Sequence, residues 1–270
     1  MEEILLNYIQ QIFSTIGLIV LFGLFFSLCR KLFCSLLGSV SYIIINYVTG
    51  WIGTPVHELS HAFFNIIFGH KITEIDLYSP NDGDDSLGYV KFNYNDKNVF
   101  HLIGLFFTGI GPILGGGVAI LLLMLILVPD LFYSIMSSSE TVVDYSNILN
   151  GYFNIFEVTI TNVFDPNNMN NILYWLFMIL AIMIAAHMEL SIADISLARI
   201  GIGILLVFIL IGDIILYLIS PDVVYLITES TTYFALFMGT ILIMGAFFNL
   251  LLILIALFVY CIKRFLLGKM

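Results

Sequence analysis

Charge is scarce in this 270-residue chain: 10% of its residues are Asp, Glu, Lys or Arg, against roughly 25% in soluble globular proteins. That excludes a soluble globular enzyme. Cations are scarcer still, nine Lys and Arg against 19 Asp and Glu for a formal net charge of −10, so the chain has no basic footprint for nucleic acid or anionic headgroups. Cysteine is limited to Cys29, Cys34 and Cys261 with no CxxC pair. A disulfide scaffold and a cysteine-ligated zinc site are thereby excluded. Glu2 and Glu3 stand where a secretory signal would carry a basic stretch, so the first apolar run is expected to be retained as a span.

The chain is rich in apolar residues, at 60% with a mean hydropathy of +1.06, and belongs in a lipid bilayer. A helix needs roughly 20 apolar residues to cross, and the runs 12–29, 99–128, 172–188, 200–219 and 233–262 meet or approach that length. Leu32 to Phe68 carries Glu58 as its sole formal charge. It is long enough for two crossings, or for one crossing and a re-entrant piece, with a break expected near Gly50-Trp51-Ile52-Gly53-Thr54-Pro55, where Thr54 can cap a new helix and Pro55 suits its first turn. Lys and Arg mark cytoplasmic segments. They cluster at Arg30-Lys31, in 70–97, at Arg199 and at Lys263, Arg264 and Lys269, while 129–171 and 220–232 have none. The expected architecture is an all-α polytopic membrane protein, 1–270 as one domain, with about seven transmembrane helices (six to eight). It has an extracytoplasmic loop over 129–171, a further outward segment at 220–232 and a cytoplasmic C-terminus. Compactness points to the plasma membrane of a prokaryote.

Segment 70–97 breaks the helical pattern. Lys71 to Tyr78 alternates apolar and polar residues, Ser79-Pro80-Asn81-Asp82-Gly83-Asp84-Asp85 reads as a turn, and Gly88 to Tyr94 alternates again. The pattern predicts a β-hairpin.

The most specific feature is His57-Glu58-Leu59-Ser60-His61, an HExxH motif on a helix expected over about 54–68. Residues four apart lie about 40° apart around a helix and about 6 Å apart along it, so both imidazoles point the same way and one metal can accept both. Glu58 beside them can take a proton from water and later deliver it to a leaving amine. At this content of His and Glu the motif arises by chance about 0.003 times. Ionisable groups in lipid need partners, and a divalent cation satisfies two imidazoles.

Catalytic zinc takes three protein ligands and keeps one position open. His70, next to Gly69, reads as a turn or interface histidine. The better candidates for the third ligand lie in Ala186-His187-Met188-Glu189-Leu190-Ser191-Ile192-Ala193-Asp194-Ile195. Asp194 has apolar neighbours and no evident reason to be there, His187 and Glu189 are alternatives, and Asp213, alone in the 200–219 run, sits nearer the other membrane face.

The order of these parts, His57-Glu58-Leu59-Ser60-His61-Ala62, then a β-hairpin, then Gly109-Ile110-Gly111-Pro112-Ile113-Leu114-Gly115, resembles the site-2 protease family of intramembrane zinc metalloproteases. The resemblance implies that His57 and His61 are zinc ligands, Glu58 the catalytic base and Asp194 the third ligand. Gly115 stands where the family usually has Asn, and Ile195 follows Asp194 where the family has Gly. The similarity covers roughly 51–120 and the stretch around Asp194. The expected substrate is a membrane protein, cleaved in or near a transmembrane segment after local unwinding. The 70–97 hairpin could receive the freed strand by edge pairing, the glycines of 109–117 permit close backbone approach or ordinary small-residue helix packing, and Pro112 is expected to interrupt its helix. Other readings are a non-catalytic membrane protein that uses the metal for assembly or partner binding and, less directly, a metal-ion transporter.

Overall fold

The computed structural model describes residues 2–80, 87–142 and 148–266. Helix α1 (Glu2–Ile12) runs through a π-helical turn, Phe13–Gly17, into α2 (Leu18–Leu37), and Thr15 Oγ1 donates to Gln11 O at 2.7 Å beside that turn. The rod ends at Gly38, whose φ of +58° is a conformation that glycine alone adopts without strain. Helix α3 (Ser39–Ile43), a second π-helical stretch (Ile44–Thr49) and α4 (Gly50–Ile67) then follow without interruption.

The break expected at 50–55 therefore lies at Gly38, and Pro55 sits inside α4. The glycines of 50–55 serve close packing instead. A Cβ on Gly53 would stand 2.2 Å from the His187 ring and 2.6 Å from the Met183 carbonyl.

Strands β1 (Lys71–Asp76) and β2 (Tyr89–Asn93) form the expected antiparallel hairpin, pairing Lys71 with Asn93 and Asp76 with Tyr89 around an irregularity between Ile72 and Glu74. Most of its expected turn, 81–85, lies outside the described residues. Helix α5 (Val99–Leu127) begins at Asn98, whose side chain accepts from Phe100 N, and continues through Pro112 without interruption.

The loop expected over 129–171 contains two helices, α6 (Pro129–Val142) and α7 (Ile148–Val163). Their sequence carries helical period: Leu131 and Ile135 on α6, and Ile155, Thr159 and Val163 on α7, are buried at four-residue spacing. Helix α8 (Ile172–Ala185) is capped by Asn171, and α9 (Ile192–Ile219) and α10 (Pro221–Leu266) complete the chain. The outward segment expected at 220–232 is the first three turns of α10. Its hydroxyls fold back onto the helix, Thr228 to Val224 O at 2.9 Å, Ser230 to Leu226 O at 2.7 Å and Thr232 to Thr228 O at 3.0 Å, which lets a polar sequence stay helical.

Among the described residues, four helices are long and apolar enough to cross a membrane: Ile4–Leu37, Val99–Leu127, Ile192–Ile219 and Pro221–Leu266. The expected seven spans are not confirmed by these four. Helix α8 has 14 residues, about 21 Å, against a hydrocarbon core of roughly 30 Å. Leu24, Ile126, Phe208 and Phe258 point outward from the four long helices, each more than half exposed. Side chains of that kind are costly in water and at home in lipid, and they mark a membrane protein.

Helix α5 is the centre of the packing. Phe106, Ile113, Ile120 and Met124 are almost fully buried in one cluster with Phe26, Phe177 and Phe248. Glycines bring its neighbours close: a Cβ on Gly109 would stand 2.5 Å from the Asp194 carbonyl of α9, and one on Gly115 would stand 2.0 Å from Ser60 Oγ of α4. The HExxH helix and the helix carrying Asp194 are thus held against one shared support.

Candidate metal centre

His57 and His61 lie one turn apart on α4, with Nε2 atoms 3.2 Å apart. His57 Nδ1 meets the His187 carbonyl at 2.8 Å, and His61 Nδ1 meets the Thr108 carbonyl at 2.7 Å. A carbonyl only accepts, so each Nδ1 carries a hydrogen, and in the neutral imidazole each Nε2 holds a lone pair. Two such lone pairs facing each other at that distance repel unless a proton or a metal cation lies between them. Carbonyl-fixed tautomers of this kind are how proteins prepare histidines for metal.

Asp194 comes to the same point from the first turn of α9, its Oδ1 3.1 Å from His61 Nε2 and its Oδ2 3.7 Å from His57 Nε2. Ser191 orients it through a reciprocal cap: Ser191 N–H donates to Asp194 Oδ2 at 2.8 Å, and Asp194 N–H donates to Ser191 Oγ at 3.1 Å. The ligand atoms of His57, His61 and Asp194 lie within 4.8 Å of one another. Metal–ligand bonds of about 2.0–2.1 Å at tetrahedral angles place neighbouring donors about 3.3 Å apart, which these separations fit. The three side chains can hold one metal ion and leave a fourth position open.

Glu58, His61 and Asp194 are buried, and His57 is partly so. A cleft of about 370 Å³ opens beside them, bounded by Arg30, Leu87, Tyr89, Val90 and Phe92. The lead-in to β2 crosses close to Glu58, since a Cβ on Gly88 would stand 3.0 Å from Glu58 Cγ. Outside the helices, the hairpin is fastened by Lys91 Nζ to Glu74 Oε2 at 2.8 Å and by the Tyr89 hydroxyl donating to Glu74. The Lys91 ammonium and the Tyr89 hydroxyl hold the Glu74 carboxyl below its ordinary range.

The other candidate residues have separate roles. His187 Nε2 bonds Thr49 Oγ1 at 2.9 Å, while the His187 carbonyl steers His57, making this a positioning residue. Glu189 pairs with Arg30 at 3.1 Å. His70 matches the expected interface histidine: Nδ1 meets Asn65 Oδ1 at 2.7 Å, Nε2 meets the His101 carbonyl at 2.9 Å, and the ring stacks on Phe92. Asp213 is 19 residues further along α9 than Asp194, about 28 Å at 1.5 Å per residue. Ser191, Thr108 and Thr49 were not expected. Of these, only Ser191 had a signal, the Ser-x-x-Asp spacing of a reciprocal cap.

A scan against protein-family models finds no match for this chain, and no curated protein and no solved structure matches it.

Proposed function

We propose that the chain is an intramembrane zinc metalloprotease that hydrolyses peptide bonds in or near transmembrane segments of membrane proteins. The observation that carries the reading is the pair of Nε2 atoms converging on Asp194, with the HExxH glutamate beside them. The order of motifs, which resembles the site-2 protease family, supports it. Two imidazoles and one carboxylate around an open position suit zinc, which when bound acts as a Lewis acid on a carbonyl and acidifies water.

The chain's own residues supply the rest. Asp194 and the two histidines fix the ion, and the carbonyls of His187 and Thr108 keep both rings in the ligating tautomer. Glu58 accepts a proton from water and passes it to the leaving amine. A transmembrane helix must unwind before it can be cut, because its peptide groups are bonded internally. Strand β2 pairs with β1 on one edge, and its residues Tyr89, Val90 and Phe92 border the cleft, so its other edge can take the unwound segment as a third strand. The clustering of Lys and Arg supports a cytoplasmic C-terminus, and the plasma membrane of a prokaryote is the proposed location.

The test compares wild type, Glu58→Gln and Asp194→Ala, purified in detergent, for bound zinc and for cleavage of a single-pass reporter. Glu58→Gln is expected to keep zinc and lose cleavage, while Asp194→Ala loses zinc. Stoichiometric zinc in a wild type that cleaves no member of a broad reporter panel would instead favour a metal site used for assembly.

A further inference from the structure

The far end of α9 holds an ionisable group that the metal centre does not use. Asp213 is 3% exposed within a helix long and apolar enough to cross the bilayer. Gln11 of α1 donates from Nε2 to Asp213 Oδ1 at 3.2 Å and to Thr228 Oγ1 of α10 at 3.0 Å. Asp213 Oδ2 is buried with no partner. Among the described residues no Lys, Arg or His pairs with this carboxyl.

Neither protonation state of Asp213 is satisfied by these neighbours. An ionised carboxyl in lipid with a single donor carries an uncompensated charge. In a neutral carboxyl, Oδ1 accepts from Gln11, so the proton sits on Oδ2, which has no acceptor. The nearby hydroxyls cannot donate, because the Thr228 proton goes to Val224 O and the Thr232 proton to Thr228 O. Asn7, one turn before Gln11 on the same face of α1, likewise has its Nδ2 buried without a partner.

We propose that Asp213, with Gln11 and Thr228, forms a binding site for a monovalent alkali cation such as Na+, separate from the metal centre. A cation beside Oδ2 supplies the missing partner and cancels the single negative charge. A divalent ion would leave one positive charge uncancelled in lipid. Carboxylate and hydroxyl oxygens are the hard donors that such ions take, and the Gln11 N–H groups hold Asp213 Oδ1 and Thr228 Oγ1 in place beside them. The site joins α1, α9 and α10, so occupancy ties three helices together.

The test is thermal unfolding of the purified full-length chain in detergent, with NaCl exchanged for choline chloride at constant ionic strength. Wild type is expected to show a saturable rise in Tm in Na+, on the order of 5 °C. Asp213→Asn, which removes the charge and keeps the shape, is expected to lose the response while still binding zinc. Gln11→Leu is expected to raise the half-saturating Na+ concentration about tenfold, and it stands in if Asp213→Asn does not fold. Equal Tm for wild type in Na+ and choline overturns the proposal, as does an Na+ response retained in Asp213→Asn. So does a protonated-carboxyl infrared band in saturating Na+ at neutral pH that disappears in Asp213→Asn.

Discussion

Ser191→Ala removes one hydroxyl from the cap that aims Asp194 while leaving all three candidate ligand side chains in place. Ser191 Oγ accepts from Asp194 N–H at 3.1 Å, and in return Ser191 N–H donates to Asp194 Oδ2 at 2.8 Å. The substitution abolishes the first bond and leaves the second without its reciprocal partner. Losing a serine N-cap costs about 1 kcal/mol, a factor of about five in an equilibrium constant. Lost outer-shell partners of metal ligands typically cost 10–100-fold in affinity. Zinc affinity is therefore expected to fall by about five- to tenfold, measured by competition with a chromogenic chelator in detergent. Ser191→Thr, which restores a capping hydroxyl, should recover most of it. Asp194→Ala should lose far more, because it deletes a donor. Unchanged affinity in Ser191→Ala would refute the view that the cap orients the ligand, and a loss as large as that of Asp194→Ala would mean that helix α9 itself had moved.

Two further outcomes follow from the same geometry. Gly109→Ala would place its Cβ 2.5 Å from the Asp194 carbonyl and 2.7 Å from Ala198 N, backbone atoms that cannot swing aside; a stability loss of about 1–3 kcal/mol and weaker zinc binding are expected, whereas Gly203→Ala, with open space around it, should leave zinc binding unchanged. The Glu74 carboxyl, lowered by Lys91 and Tyr89, stabilises the hairpin above its unfolded pKa and loses that contribution as pH falls through its native value; a carboxyl NMR titration should give a midpoint below the ordinary value of 4.5, and a midpoint at or above it would refute the pairing.

The sequence was most informative where chemistry is contiguous and least where it depends on backbone. His57, Glu58 and His61 could be read directly because one helical turn brings the two imidazoles together. The hairpin could be read from its alternation. The carbonyls of Thr108 and His187 could not, since every residue carries a carbonyl and only the fold selects which one meets an imidazole. At Gly50 and Gly53 the misreading had another cause. A glycine that hinges the chain and one that lets helices touch look alike in sequence, and here the hinge is Gly38. The segment 220–232, expected to face outward for want of Lys and Arg, is helical from Pro221, and its threonine and serine hydroxyls bond to carbonyls of their own helix. In 129–171 a helical signal was present in Leu131, Ile135, Ile155, Thr159 and Val163 but was outweighed by the Asn and Ser around it.

The geometry of the candidate metal centre rests on a helix that contributes none of its three side chains. Helix α5 lends the Thr108 carbonyl that sets the His61 tautomer. Gly111 and Gly115 let Ser60, between the two ligating histidines, lie against α5, and Gly109 admits the Asp194 backbone to the same support. The distance from His61 Nε2 to Asp194 Oδ1, 3.1 Å, is therefore the sum of two helix contacts made through glycine. A tetrahedral site asks for about 3.3 Å along such an edge and tolerates displacement of only about 0.5 Å. One added methyl group on the facing side of α5 is larger than that tolerance. Residues of α5 that never touch the ion should therefore control its affinity, and the run of glycines from 109 to 117 is explained by the spacing of ligands on other helices as much as by its own packing.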